Sequence, residues 1–287
     1  MDEKILDKLV EIVQEIMGKD YEIKSVITNK LNGSKKVGIS ISMLGRTISP
    51  IIYVNEIIEA IDKSEISIKN AAEQIVDVNS KTILCNNALS NPDKISEIYD
   101  KEYILNHVEY QVINAEQNIE TLKNIPNKRV LDLAAIYRVV CIDSSDYMSS
   151  YVFENKHLDK TNISMEELDE AAFRNTKEAG FVINKFPEIS TDAIPMYVLT
   201  NTRKVNGAVA LLFNDLLAEE AEKIGEDVYI IPSSINDLII IPASVIPAEE
   251  LKNIIKNVND TEVPEDEILS YLVYKFNVST GEVEIAG

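Results

Sequence analysis

Three short strings bring together side chains of a kind that binds or reacts. The first, Pro232-Ser233-Ser234-Ile235-Asn236-Asp237, joins two nearly all-apolar segments, Val228-Tyr229-Ile230-Ile231 and Leu238-Ile239-Ile240-Ile241. Two hydroxyls (Ser233, Ser234), an amide (Asn236) and a carboxylate (Asp237) at a strand end suit a small polar ligand, because loops on a rigid sheet are where such groups converge. The plainer alternative is a turn whose side chains bond their own backbone. The second string is Arg174-Asn175-Thr176. Arg174 and Asn175 fall near a helix end, where a cation and an amide meet a ligand or cap the last carbonyls. The third is Asp260-Thr261-Glu262-Val263-Pro264-Glu265-Asp266-Glu267. Its acids Asp260, Glu262, Glu265, Asp266 and Glu267 form a docking surface for a basic partner. Alternatively, Pro264 opens a last helix and the acids fill its first turn, where the helix dipole favours negative charge.

Other chemistries lack their parts. His107 and His157 lie far apart, and neither sits in a ligand string. A zinc site takes three or four N/S ligands, and two His and two Cys scattered singly do not supply them. No metal site is expected. No Ser or Cys is evidently paired with a His, so no hydrolytic triad and no catalytic residue is assigned. Neither a Gly-x-x-x-x-Gly-Lys-Ser/Thr string nor a Gly-x-Gly-x-x-Gly string occurs, and 9 glycines leave little room for a phosphate cradle. No cofactor is expected. Glu166, Glu167, Asp169 and Glu170 read as the acidic first turn of a helix, and Glu219, Glu220 and Glu222 as a solvated helix face.

Charge narrows the class of partner. The 287 residues carry 28 Lys+Arg against 48 Asp+Glu, a net charge of −20. The imbalance grows along the chain: residues 201–287 hold 6 basic and 16 acidic side chains. The basic clusters, such as Lys35-Lys36 and Lys128-Arg129, are two residues long. Direct nucleic-acid binding and an anionic membrane surface are therefore disfavoured, and a basic protein surface is favoured. Cys85 and Cys141 are unclustered, as in a reducing compartment. The charged N-terminus lacks a signal-peptide core, and no apolar run approaches the ~18 residues of a membrane span. The expected location is the cytoplasm.

The elements that must position these strings are legible as patterns. Ile5, Leu6, Leu9, Val10, Ile12, Val13, Ile16 and Met17 form a helical stripe ended by Gly18. Asn32-Gly33 predicts a hairpin turn before the alternating strand Val37, Ile39, Ile41, Met43. Ser49-Pro50 predicts a helix start with an apolar face from Ile51 to Ile61, and a second helix follows over 67–78. Residues 81–101, with the turn-rich stretch Asn86 to Asp93, are the expected linker between domains 1–80 and 102–287. In the second half, strands are expected at Leu133–Ile142 and Tyr147–Phe153 around an Asp143-Ser144-Ser145-Asp146 turn. A capping box, Ser164-Met165-Glu166-Glu167, then starts a helix. Met196–Leu199 and Ala208–Phe213 read as strand and return strand about Asn206-Gly207. A helix over 214–224, strands at 228–231 and 238–241, a helix from Pro247 and an amphipathic segment at 264–276 complete the chain. The fold class is α+β, with repeated strand-turn-strand-helix units and antiparallel-rich mixed sheets that pack helices on one face.

Several of these strings also carry a resemblance. Asn206-Gly207-Ala208 to Ile241, with Leu216 to Gly225 and Asp227 to Ile235 inside it, is one. Ile48 to Val54, Leu131-Asp132-Leu133-Ala134, and Ile163 to Leu168 with Ala171 to Thr176 are others. Together they resemble an uncharacterised family found in gut clostridia, their phages and integrative elements. More distantly, the second half is similar to the bacterial YtpQ family. The resemblance implies a mobile-element setting and no reaction. With the charge, it leads to the expected function: a non-enzymatic acidic interaction protein that binds a host protein, in its sharper form as a nucleic-acid-mimicking decoy. The alternative is a small-ligand or nucleotide-binding protein with its site near 232–237.

Overall fold

The computed structural model describes residues 3–44, 51–85, 97–143, 148–186 and 194–286. The chain divides into two compact units, Met1–Tyr99 with Ile142–Met148, and Asp100–Cys141 with Ser149–Gly287. The fold is α+β, and every strand pair with a described register is antiparallel.

In the first unit, helix α1 (Glu3–Met17) buries the face made by Leu6, Leu9 and Val13. Strands β1 (Tyr21–Asn29), β2 (Lys35–Met43) and β3 (Ile51–Tyr53) form one sheet in that order. The β1–β2 hairpin turns where Asn32-Gly33 predicts it, and both residues hold positive φ, 58° and 74°. Helices α2 (Asn55–Asp62) and α3 (Ile68–Cys85) follow. The helix expected from Pro50 starts later. Ser49-Pro50 lies outside the described residues, and Ile51–Tyr53 extends to pair with Gly38–Ser40. Helix α3 covers the start of the expected linker, and Asn86 to Asp93 lies outside the described residues.

The second unit holds two sheets. Helix α4 (Lys101–His107) leads into β4 (Val108–Asn114); a short helix α5 (Ile119–Leu122) precedes β5 (Asn127–Val130) and β6 (Leu133–Asp143). These strands order as β4-β6-β5, and β7 (Met148–Val152) also pairs with β6. The turn expected between β6 and β7 lies outside the described residues from Ser144 on. Helices α6 (Asn155–Thr161) and α7 (Met165–Glu178) come next. The capping box at the start of α7 forms as its spacing requires: Glu167 N–H donates to Ser164 Oγ at 3.1 Å, and Ser164 N–H donates to Glu167 Oε2 at 2.9 Å. Leu168, Ala171 and Ala172 then seat α7 in a core with Tyr110, Tyr137 and Phe153.

The larger sheet has six strands in the order β13-β12-β10-β11-β9-β8. They are β8 (Phe181–Lys185), β9 (Tyr197–Asn201), β10 (Val228–Ile231), β11 (Leu238–Pro242), β12 (Tyr274–Asn277) and β13 (Glu282–Ile285). Helix α8 (Asn214–Ile224) packs Leu217 and Ala221 against Ile230 and Ile240 on one face. Helix α9 (Ala248–Thr261) packs Leu251 and Ile255 against Ile231 and Ile241 on the other. Helices thus cover this sheet on both faces rather than one. That is why β10 and β11 are apolar along their length instead of alternating.

Two expected elements differ. Residues Gly207–Leu212 form a buried 3-10 helix, not a return strand. A Cβ on Gly207 would lie 2.1 Å from Thr200 Oγ1 and 2.5 Å from Asn236 O, so the backbone here is pressed against β9 and the 232–237 turn. Gly207 through Leu211 are all buried, which leaves the solvated face of a half-buried strand without residues. The segment from Pro264 makes only a 3-10 turn, Glu265–Glu267, before an irregular stretch leads to β12. Glu220, expected on a solvated face, is buried at 7% because it shares a stripe with Leu217 and Ala221; its carboxylate accepts from Lys223 at 2.7 Å.

Candidate functional site

The 232–237 turn is built as a clasp. Pro232 O and Ser233 O accept the N–H groups of Ser270 and Leu269 at 3.0 and 3.1 Å, and Ile235 N–H donates to Glu267 O at 2.9 Å. Asn236 is the hub. Its Oδ1 accepts Asn206 N–H at 3.1 Å, and its Nδ2 donates to Glu267 Oε2 at 2.9 Å. Its carbonyl accepts the Thr200 hydroxyl at 2.6 Å and Gly207 N–H at 3.1 Å. Ser234 Oγ accepts Asn236 N–H at 3.0 Å. Asn236 therefore spends its polar atoms on holding the 3-10 helix and Glu267 to the sheet end, and the Ser234 hydroxyl on the turn itself. Asp237 is half-buried, and burial pushes its carboxyl above the ordinary value.

Ser233 alone of the four has a different role. It is 5% exposed and lines an apolar cavity of about 340 Å³ between the six-stranded sheet and α9. Ile231, Ile239 and Ile241 form the sheet side, and Leu251, Ile255 and Val258 the helix side. Phe186 and Ile254, 49% and 48% exposed, also line it. Ser233 is the single polar residue of the lining. The cavity exists because alternate residues of β10 and β11 turn their branched side chains away from the α8 core, towards a helix that presents its own apolar stripe.

The other expected residues serve the scaffold. Arg174 Nη2 and Asn175 Nδ2 donate to Leu105 O at 2.9 and 3.1 Å, and Asn175 Nδ2 also donates to Val108 O at 2.8 Å. They satisfy carbonyls at the end of α4 that no helical N–H reaches. The acidic string is divided. Asp260 sits on α9, where hydrogen bonds from Lys256 and Tyr271 hold its carboxyl below the usual range. Glu267 belongs to the clasp, and Glu262 and Glu265 face solvent. Asp266, on the 3-10 turn, is half-buried.

Two charged groups that meet the smaller sheet, Asp169 from α7 and Arg138 on β6, were not singled out by sequence reasoning. Asp169 Oδ1 accepts the hydroxyls of Tyr110 and Tyr137 at 2.6 and 2.7 Å, and its Oδ2 accepts Lys128 Nζ at 2.7 Å. Burial alone would raise the Asp169 carboxyl. The hydrogen bonds from Lys128, Tyr110 and Tyr137 outweigh it and hold the group below the ordinary value. Burial and the shared carboxylate push both phenols well above theirs. Arg138 is the second. It is half-buried, and its partners are neutral: Ser150 Oγ, which accepts from Nε at 3.0 Å and Nη2 at 2.6 Å, and Gln111 Oε1, which accepts from Nη1 at 2.9 Å. An arginine inside the apolar run Ile136 to Cys141 was the available signal. Cys141, in the same run, is half-buried with its thiol pushed up to about 11, so it is protonated at neutral pH.

Among the described residues, no three His, Cys, Asp or Glu side chains are grouped to hold a metal ion. None of the described helices is long and apolar enough to cross a membrane. No curated protein and no solved structure matches the chain. A family model does match, over residues 3–278, and the chain belongs to that family, DUF5688, a family of unknown function.

Proposed function

We propose that this chain is a binding protein for an apolar small molecule, held between the six-stranded sheet and α9. The observation that carries this reading is the cavity. At about 340 Å³ it falls within the range of small-molecule sites, roughly 300–1,000 Å³, and such sites are mostly apolar with a few polar groups. The chemistry of the lining selects the ligand. It offers branched aliphatic side chains, one phenylalanine and one hydroxyl, and no cation for a phosphate. This favours an alkyl or terpenoid-like group over the nucleotide considered from sequence.

The test is thermal unfolding with n-decanol as probe and ATP as control. A ligand that binds only the folded state at 100 times its Kd stabilises by about 2.7 kcal/mol. Decanol should raise the midpoint saturably, and ATP should not. Ile254→Asp, at an exposed lining position, and Val258→Trp, which fills the cavity, should both abolish the decanol effect. An unchanged midpoint in the native protein, or an equal rise in both variants, removes the reading.

The charge favours a second reading: an acidic interaction protein of the cytoplasm, carried by a phage or mobile element, that occupies a basic surface on a host protein. Residues 201–287, with 6 basic and 16 acidic side chains, would supply half of the net charge. Affinity for such a partner should fall steeply with salt. Salt-insensitive binding sinks this version.

A further inference from the structure

Arg138 sits in β6 directly across from Glu109 of β4. In a chain of 48 acidic residues, that is where an ion pair would be expected. Glu109 instead pairs with Arg203, and both of those side chains are largely buried, at 19% and 16% exposure. Among the described residues, no carboxylate lies within ion-pair distance of Arg138. Its guanidinium carries five N–H donors. Three are engaged, by Ser150 Oγ twice and Gln111 Oε1 once. Two remain, one on each terminal nitrogen.

Those partners fix the group without neutralising it. Gln111 is 2% exposed and accepts from Nη1, while Ser150 accepts from Nε and Nη2, so the plane of the guanidinium is held at two points. A half-buried cation is unfavourable without an opposite charge, and burial lowers its proton affinity accordingly. The remaining N–H groups, one on Nη1 and one on Nη2, lie in the guanidinium plane and can donate to oxygens of one oxyanion. The residue as a whole is half-buried rather than sealed in the core.

We propose that Arg138, oriented by Gln111 and Ser150, anchors an oxyanion site on this face of the β4-β6-β5 sheet. The group it takes is the phosphoryl or carboxylate end of a small ligand, received against Nη1 and Nη2. The site stands on different strands and a different chemistry from the apolar cavity, so either survives the failure of the other.

The experiment is a titration of the full chain with inorganic phosphate and, separately, with acetate. Ionic strength is held constant with NaCl, and binding is read by thermal unfolding and by calorimetry. At least one anion should raise the midpoint saturably above the NaCl control. A stronger response to phosphate identifies a phosphoryl ligand, and a stronger response to acetate a carboxylate. Arg138→Met, which keeps the apolar stem, should abolish the response. Arg138→Lys keeps the charge but loses the fork, and should weaken the affinity at least tenfold. No response in the native protein overturns the proposal, as does an affinity in Arg138→Lys within twofold of the native one. If Arg138→Met does not fold, the Lys variant alone decides.

Discussion

The two faces of the β4-β6-β5 sheet treat charge in opposite ways. Tyr137 and Arg138 are neighbours in β6 and so project to opposite sides. On the Tyr137 side, Asp169 is met by two phenols and a lysine. On the Arg138 side, a cation is met by an amide and a hydroxyl, while the acid across from it serves another arginine. The first arrangement is closed. It joins α7 to β4, β5 and β6, and each charged group has its counterpart. The second is oriented but open. A charge that is fully compensated is best explained as structure; one held in place by neutral groups has capacity left for something outside the chain.

The sharpest way to break the contrast is to remove the compensated charge. Asp169→Ala strands the Tyr137 hydroxyl, on a residue of 0% exposure, and takes the carboxylate from the Tyr110 hydroxyl, which keeps the backbone carbonyl of residue 169 at 3.1 Å, and from the half-exposed Lys128 ammonium, which water can solvate. Hydrogen bonds to a charged group are worth about 1.5–3 kcal/mol each, and groups left unpaired when buried add their desolvation. The expected loss is on the order of 3 kcal/mol, seen as a lower urea midpoint with an unchanged slope. A loss under ~1 kcal/mol would mean that the cluster is decoration on a helix already seated by Leu168, Ala171 and Ala172.

Acid offers a milder way to the same end. The Asp169 carboxyl titrates lower in the folded chain than its ordinary value. Its contribution is therefore complete above the unfolded value, near pH 4, and is lost as pH falls through the folded value. Other carboxylates behave alike, Asp215 and Asp227 among them, so the native curve alone does not isolate it. The difference between native protein and Asp169→Asn does. That difference should be largest near neutrality and shrink below about pH 4. A difference independent of pH from 2.5 to 6 would show that the charge of Asp169 is not what the phenols hold.

How much of this was legible in the sequence depends on the range of the interaction. Asn32-Gly33, the Ser164 capping box and the stripe of α1 are local devices, settled within a few residues, and they appear in the structure where their patterns fall. The segment 208–213 failed for a physical reason. An unbroken apolar run has no period to separate a strand from a buried helix, and one of the contacts that decide, Gly207 against Asn236, spans about 30 residues. Ser234 and Asn236 were recognised as a polar turn, but the partners of Asn236 at Asn206 and Glu267 are as remote as the Gly207–Asn236 contact. The cavity needs Phe186, β10, β11 and α9 to converge, which no window along the chain contains. Arg138 was visible as a cation in an apolar run; that no carboxylate among the described residues pairs with it became visible only once the register put Glu109 opposite and Arg203 upon it.

The smallest expected effect sharpens the comparison most. Arg138→Met removes a half-buried cation that no carboxylate among the described residues neutralises, which is favourable, and leaves Gln111 Oε1 without its donor, which is not. Ser150 is only half-buried, so water can replace the lost bonds there. The two terms oppose each other at about 1 kcal/mol each, and the net change in urea stability should lie within ~1 kcal/mol of zero, far from the loss at Asp169. Equal losses at the two positions would make Arg138 as structural as Asp169, and the open face would then be closed by contacts as strong as those around the phenols. A near-zero change, with the phosphate or acetate response gone, separates the two faces by what they do: one carries the fold, and the other holds a charge ready for an anion.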